Sequence, residues 1–374
     1  YLAPWPLALV WTMLWSPPFT GTPGFWDIVA LAVGVRLLLS ACEVPSVSLV
    51  PEITDDYDDR TTLFRYRFLS GWLGGLLMMV LTFTVFLPTP QSQLQPEGYA
   101  SYGLFGAALI ALSVIGSAAA QHRIVAQLPE RRPPPFSITG AFAEIFDAFR
   151  EKAFVIFALG GLAAYVLQGM TFSITQYVNL YVWQFSELAF QLYPAVLFLS
   201  VVLMFVIVGP LHRRWGKPKS AALGALVGLA FYCSPYVFYL AGAWPTVGTT
   251  ASTALLYGFL VCANTASVVA IISATSMVAE IVEAFEERTG QRAEGTFYAG
   301  NWLVQKCATG GGILLTSLIV QSIDLAPGTP QAEVAPETVR QLVWLFMLAA
   351  TVLASIAAFW LARFPTSRNK KDPL

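Results

Sequence analysis

Charge is scarce in this chain. Asp, Glu, Lys and Arg make up 11% of its 374 residues, against about 25% in soluble domains. Hydrophobic residues reach 56%, which excludes a water-soluble globule. The two signs nearly cancel, 21 Lys and Arg against 22 Asp and Glu, so neither a basic nucleic-acid surface nor an acidic solvating tail is present. Histidine is almost absent. His122 and His212 both fall in hydrophilic connections, which leaves no histidine relay or metal-ligand set inside apolar segments. Cys42, Cys233, Cys262 and Cys307 sit in apolar stretches without paired spacing, which argues against a disulfide framework or a zinc site. The Gly216-Lys217 step runs into Pro218 and lacks the spacing of a phosphate-binding loop, so no nucleotide-driven pump is indicated. The acidic cluster Asp55, Asp56, Asp58, Asp59 lacks the glycine and the alternating ligands of a calcium loop.

Long apolar runs are what the chain has instead. A spanning helix needs ~20 mostly apolar residues, and ten segments qualify: 2–16, 26–50, 68–88, 102–121, 153–178, 189–210, 220–241, 252–282, 297–322 and 340–362. The sequence therefore predicts an all-α, polytopic membrane protein. Positive charge orients it. Three basic residues lie in 51–67, five in 122–152, four in 211–219, two in 283–296 and four in 363–374, whereas 17–25, 89–101, 179–188, 242–251 and 323–339 contain none. Both ends of the chain are thus expected on the cytoplasmic side of the cell's inner, or plasma, membrane. Arg340 sits at an outer helix end, where it can snorkel to water. The connection 122–152, with Pro129 and Pro133 to Pro135, reads as a linker between a half-bundle over 1–121 and a six-helix bundle with its tail over 153–374. It ends in an amphipathic stretch whose Ile138, Phe142, Ile145, Phe146 and Phe149 share a face suited to the membrane surface.

Two connections repeat a pattern. Tyr57-Asp58-Asp59-Arg60-Thr61 and Phe285-Glu286-Glu287-Arg288-Thr289 are both aromatic-acid-acid-Arg-Thr, 228 residues apart. The same offset carries 26–50 and 68–88 onto the eighth and ninth predicted helices. It also predicts two further helices ahead of Tyr1, making this a fragment of a six-plus-six repeat.

The segment Gly209-Pro-Leu-His-Arg-Arg-Trp-Gly-Lys217 resembles the loop signature of major facilitator transporters, with Arg213 where that signature has an acid. Within the superfamily, Glu43-Val-Pro-Ser-Val-Ser-Leu-Val-Pro-Glu-Ile-Thr-Asp-Asp-Tyr-Asp-Asp-Arg-Thr61 is similar to the glycoside-pentoside-hexuronide:cation symporter family, of the melibiose permease type. Ala279-Glu-Ile-Val-Glu-Ala-Phe-Glu-Glu-Arg-Thr-Gly-Gln-Arg-Ala-Glu-Gly-Thr-Phe-Tyr-Ala299 and the following Gln305-Lys306 resemble the family's acid-rich segment before its eleventh helix. The resemblance implies a major facilitator fold with ten of twelve helices present. It also implies substrate binding near the midplane between two halves that rock.

Charges inside an apolar segment cost about 2.5 to 3.5 kcal/mol each on insertion scales, so they line cavities or pair. Arg36, Glu43 and Lys306 are such residues. Arg36 and Glu43, seven apart, share a helix face ~10 Å apart. A carboxylate at Glu43 accepts two hydroxyl hydrogens at once, and the resemblance makes it the sugar acceptor, with Arg67 as the sugar-contacting arginine; the alternative for Glu43 is a structural ion pair with Lys306. Val47 stands where the family has a ring-stacking aromatic. On the helix from 297, Asn301 and Gln305 form a polar row beside Trp302 and Lys306, and the resemblance makes Lys306 the link between cation and sugar sites. Asp59 with Arg60 and Glu287 with Arg288 are expected as a cytoplasmic gate of inter-loop ion pairs.

These residues predict a secondary transporter, not an enzyme, carrying a small-molecule sugar or glycoside by alternating access. The expected partners are that sugar and the lipid bilayer, with no nucleic acid, no metal and no cofactor, the protein working as a monomer. The coupling ion is Na+ or H+. Arg36 would suit an anionic substrate such as a uronate, or an amphiphile headgroup. A lysolipid, amphiphile or organic-anion carrier and a non-transporting sensor or scaffold remain alternatives.

Overall fold

A computed structural model describes residues 1–18, 23–49, 53, 57–127, 146–290, 294–326 and 328–364. They are helical wherever they are regular, and eight of their helices are long and apolar enough to cross a membrane. The chain divides into two compact units, Tyr1–Pro133 and Pro134–Leu374.

In the first unit, α1 (Pro4–Trp15) opens on a proline whose fixed φ suits a first turn. Its 12 residues rise only about 18 Å, so the predicted span over 2–16 is a helix too short to cross ~30 Å of hydrocarbon. It packs on α4 (Glu97–Val125) through two glycines. A Cβ on Gly103 would lie 2.6 Å from Trp15, and one on Gly106 would lie 2.7 Å from the Trp11 indole nitrogen. The missing side chains are thus what admits two indoles. Trp15 stacks on Tyr99 at 5.7 Å and meets Tyr102 edge-on at 5.0 Å. α2 (Phe25–Ser48) packs on α1. α3 (Tyr57–Leu81) ends in a π-helical turn, Thr82–Phe86.

The second unit begins with α5 (Lys152–Tyr177), which also ends in a π-helical turn, Val178–Val182. Next comes α6 (Glu187–Leu240), a 54-residue helical run whose only break is Gly216, at φ 74° and ψ 169°. α7 (Thr250–Thr289) starts on a Thr249 cap and stops at Gly290, whose φ is 69°. α8 (Glu294–Ser322) and α9 (Pro336–Ala362) complete it.

The predicted spans 189–210 and 220–241 fall on the two arms of α6, before and after Gly216. The break falls inside the basic connection drawn over 211–219, and the arms stay helical up to either side of it because Arg and Lys are good helix formers. Contacts with α7 give the direction of each arm. Before Gly216, Ala189 meets Tyr257, Ser200 meets Thr265 and His212 meets Ser273, so that arm runs parallel to α7. Beyond it, Gly224 abuts Ala266 and Ala270 while Gly228 abuts Ala263 and Ser267, so the second arm runs antiparallel. The chain reverses at Gly216, a backbone region that only glycine occupies readily.

Glycines also set the closest helix approach. A Cβ on Gly312 of α8 would lie 2.1 Å from the Val166 carbonyl oxygen of α5, and one on Gly169 would lie 2.2 Å from that of Thr309. Across this seam the Thr316 hydroxyl donates to the Met170 carbonyl at 3.1 Å. A core cluster fills the end of the unit that holds the Gly216 reversal: Phe154, Phe157, Ala221, Met277, Ile281, Phe297 and Leu361 are all nearly inaccessible. Phe149 packs against this cluster, 5.1 Å from Phe154, so it turns inward from the surface face expected for it, while Phe146 stays exposed. Ile138, Phe142 and Ile145 lie outside the described residues.

Candidate functional site

The first unit gathers charge where α2 and α3 meet. Glu43 lies on α2, and Ser46 follows one turn later on the same face. Nη2 of Arg67 stands 3.7 Å from the Glu43 carboxylate, and Nη1 donates to the Ser46 hydroxyl at 3.0 Å. The first distance exceeds hydrogen-bond length, so carboxylate oxygens and guanidinium donors both keep capacity for a third group. The two side chains are 51% and 36% exposed. Arg67 was expected at a helix start, but α3 begins ten residues earlier, at Tyr57, which puts the guanidinium about 15 Å along the helix. The shift has a simple cause: the acid-rich approach to the apolar segment is already helical. Arg36, two turns before Glu43, is exposed on α2 and forms no ion pair among the described residues.

Chemically, this is a carboxylate that accepts, a guanidinium that donates in a planar fork and a hydroxyl that does either. Such a set can bond adjacent hydroxyls, and Arg36, two turns away on α2, adds a second cation to the helix.

In the second unit, the two rows predicted on α8 separate. Asn301 is buried, and its side-chain oxygen accepts from the Tyr165 hydroxyl of α5 at 3.1 Å. Gln305 is half-buried, whereas Trp302 and Lys306 are exposed. Among the described residues Lys306 pairs with no carboxylate. Of the four gate residues, Asp59 and Arg60 lie in the first turn of α3 and their side chains are outside those described. Glu287 is exposed. Arg288 pairs with Glu151, just ahead of α5 in its own unit, and lies 5.7 Å over the Phe285 ring.

Sequence reasoning missed a polar cluster at the Gly216 reversal. Lys217 pairs with Glu280 of α7 at 2.9 Å, and His212 lies 2.7 Å from the Ser273 hydroxyl. That hydroxyl donates to the Val269 carbonyl at 2.7 Å, so it accepts from the imidazole, whose Nε2 then carries the proton. Both histidines are helical, His122 in the last turn of α4. Glu280, an acid closing a long apolar run, was the available signal, since such a charge requires a partner. The Asn264 amide nitrogen of α7 is buried without an acceptor among the described residues.

Comparison with known proteins adds to this geometry. The family profile described as MFS/sugar transport protein matches residues 1–368. An uncharacterized symporter of Synechocystis sp. is 25% identical, over 95% of this chain and 77% of its own length. Two Escherichia coli proteins are similar at 24% and 23% identity. One bears the provisional name of 2,3-dihydroxypropane-1-sulfonate exporter and matches over 92% of this chain and 73% of its own length. The other, provisionally named a sulfoquinovose importer, matches over 87% of this chain and 65% of its own.

Proposed function

The chain belongs to the MFS/sugar transport protein family, and we propose that it serves as a cation-coupled symporter of an acidic sugar, one bearing a carboxylate or sulfonate, working by alternating access. The observation that carries the reading is the half-exposed set of Glu43, Ser46 and Arg67, with Arg36 two turns away. Two cations and one acid leave net positive charge on this face. A neutral glycoside gives an unpaired arginine nothing to neutralise it, and an uncompensated charge in the bilayer is costly. An anionic sugar neutralises that charge while its hydroxyls bond to Glu43. Two relatives whose names refer to sulfonates lend the reading support.

Lys306 is the proposed coupling cation, competing with Na+ or H+ for carboxylates, with Gln305 next to it in sequence and Asn301 anchoring the helix to Tyr165. The Asp59, Arg60, Glu287 and Arg288 segments are proposed as the gate, on the cytoplasmic side of the inner membrane.

The test is uptake of a labelled panel of neutral glycosides, uronates and sulfonated sugars into vesicles containing the full-length protein, with Na+ and pH gradients imposed separately. Gradient-driven uptake of acidic members over their neutral counterparts is expected. Uptake confined to neutral sugars overturns the anion reading; no uptake under either gradient overturns symport.

A further inference from the structure

At the end of the second unit opposite the Gly216 reversal, the close of α8 and the start of α9 enclose an open cavity of about 580 Å³. It is lined by Ser322 at the end of the first and Ile323 just beyond it, and by Glu337, Arg340, Gln341, Trp344 and Leu345 of the second. α9 has 27 residues and is about 40 Å long, some 10 Å more than a ~30 Å hydrocarbon slab. With Glu337 and Arg340 in its first turns, that end is the one suited to the depth of lipid headgroups, where Trp is favoured.

Among the described residues, neither Glu337 nor Arg340 forms an ion pair. They are three apart on one helix, so a carboxylate and a guanidinium open side by side onto the same space. Below them both helices continue as apolar tracks facing outward. On α9 these are Trp344, Leu348, Val352 and Ile356, and on α8 Leu314 and Leu318, all exposed large hydrophobics one turn apart. The opposite face of α9 is sealed into the unit through Val339, Leu342, Val343 and Phe346. Polar cavity and apolar tracks thus follow one another as a phospholipid's headgroup and acyl chains do.

We propose that this cavity binds the headgroup of a zwitterionic phospholipid with a primary ammonium, phosphate on Arg340 and ammonium on Glu337. Charge decides the class. Arg340 is the lone cation in 323–344, which also contains Asp324, Glu333 and Glu337, so a purely anionic headgroup meets net repulsion. A quaternary ammonium satisfies the charge of Glu337 but has no N–H to donate to it. The indole of Trp344 spans the boundary between headgroup and chain.

Native mass spectrometry of the detergent-purified protein with phosphatidylethanolamine, phosphatidylcholine and phosphatidylglycerol of matched chains tests this. The wild type should retain phosphatidylethanolamine about tenfold better than either other lipid, as expected for one charge-assisted hydrogen bond. Glu337→Gln should bring phosphatidylethanolamine down to the phosphatidylcholine level, and Arg340→Gln should lower retention of both. Both positions are exposed, so an unchanged lipid-free melting temperature identifies the loss as local. Equal retention of the three lipids by the wild type, a Glu337→Gln variant that keeps the preference for phosphatidylethanolamine, or an Arg340→Gln variant that retains both lipids as the wild type does, overturns the proposal. No transport is measured, so the outcome is independent of the substrate reading.

Discussion

Replacing Glu43 by Gln separates a substrate-binding carboxylate from a structural one. The change keeps shape and removes charge. Because both partners are substantially exposed and 3.7 Å apart, the pair is worth at most ~1 kcal/mol to stability. The melting temperature of Glu43→Gln should therefore fall by less than about 3 °C. A hydroxyl bound by the carboxylate loses a charge-assisted hydrogen bond of about 1.5 to 3 kcal/mol, or roughly ten- to hundredfold in substrate affinity. Were the pair a sealed structural bridge, orphaning Arg67 would instead cost about 3 to 5 kcal/mol of stability. Differential scanning fluorimetry in detergent and half-saturating concentration for uptake, measured on the same preparation, give the two numbers. A melting temperature that collapses together with affinity, or an affinity that stays at the wild-type value, refutes the reasoning. Arg67→Lys should show the same split, since an ammonium keeps the charge and loses the planar fork.

Other consequences follow from the packing. Gly312→Ala puts a methyl 2.1 Å from the Val166 oxygen, forcing α5 and α8 apart by more than 1 Å and costing about 1 to 3 kcal/mol; thermal unfolding should register the loss, whereas Gly311→Ala, with nothing closer than 3.9 Å, should be neutral. Gly216→Ala meets no neighbour within 4 Å, so its expected cost of about 1 to 3 kcal/mol is purely backbone strain. Reversing the Lys217–Glu280 pair should restore the stability that Glu280→Lys alone removes, by about 1 kcal/mol or more. Tyr165→Phe leaves the Asn301 amide oxygen unsatisfied and should lower the melting point more than Tyr165→Phe combined with Asn301→Leu.

The apolar runs announced the class of fold and most of its helices, because hydrocarbon thickness imposes a length that composition alone reveals. What they concealed were the ends. Helix α3 starts among Asp and Arg, and the two arms of α6 stay helical through Arg213, Arg214, Lys217 and Lys219 up to the break at Gly216, since helical hydrogen bonding is indifferent to charge once a flank lies in water. Of the candidate site, Glu43 was legible as a charge that apolar surroundings do not tolerate alone and Arg67 through the family resemblance, and the structure puts them beside Ser46. Asn301 pairs with Tyr165 instead, an arrangement that depends on how α5 crosses α8. Tyr165, His212 and Ser273 gave no warning, because a tyrosine, histidine or serine in a helix looks the same whether it faces a neighbour or nothing.

The reversal at Gly216 bears on how the protein is made. One non-helical residue cannot act as a tether, so the first arm of α6 has no slack with which to settle in lipid while the second is still being synthesised. The two arms are therefore expected to enter the bilayer together as a hairpin, with Arg213, Arg214, Lys217 and Lys219 clustered near its tip.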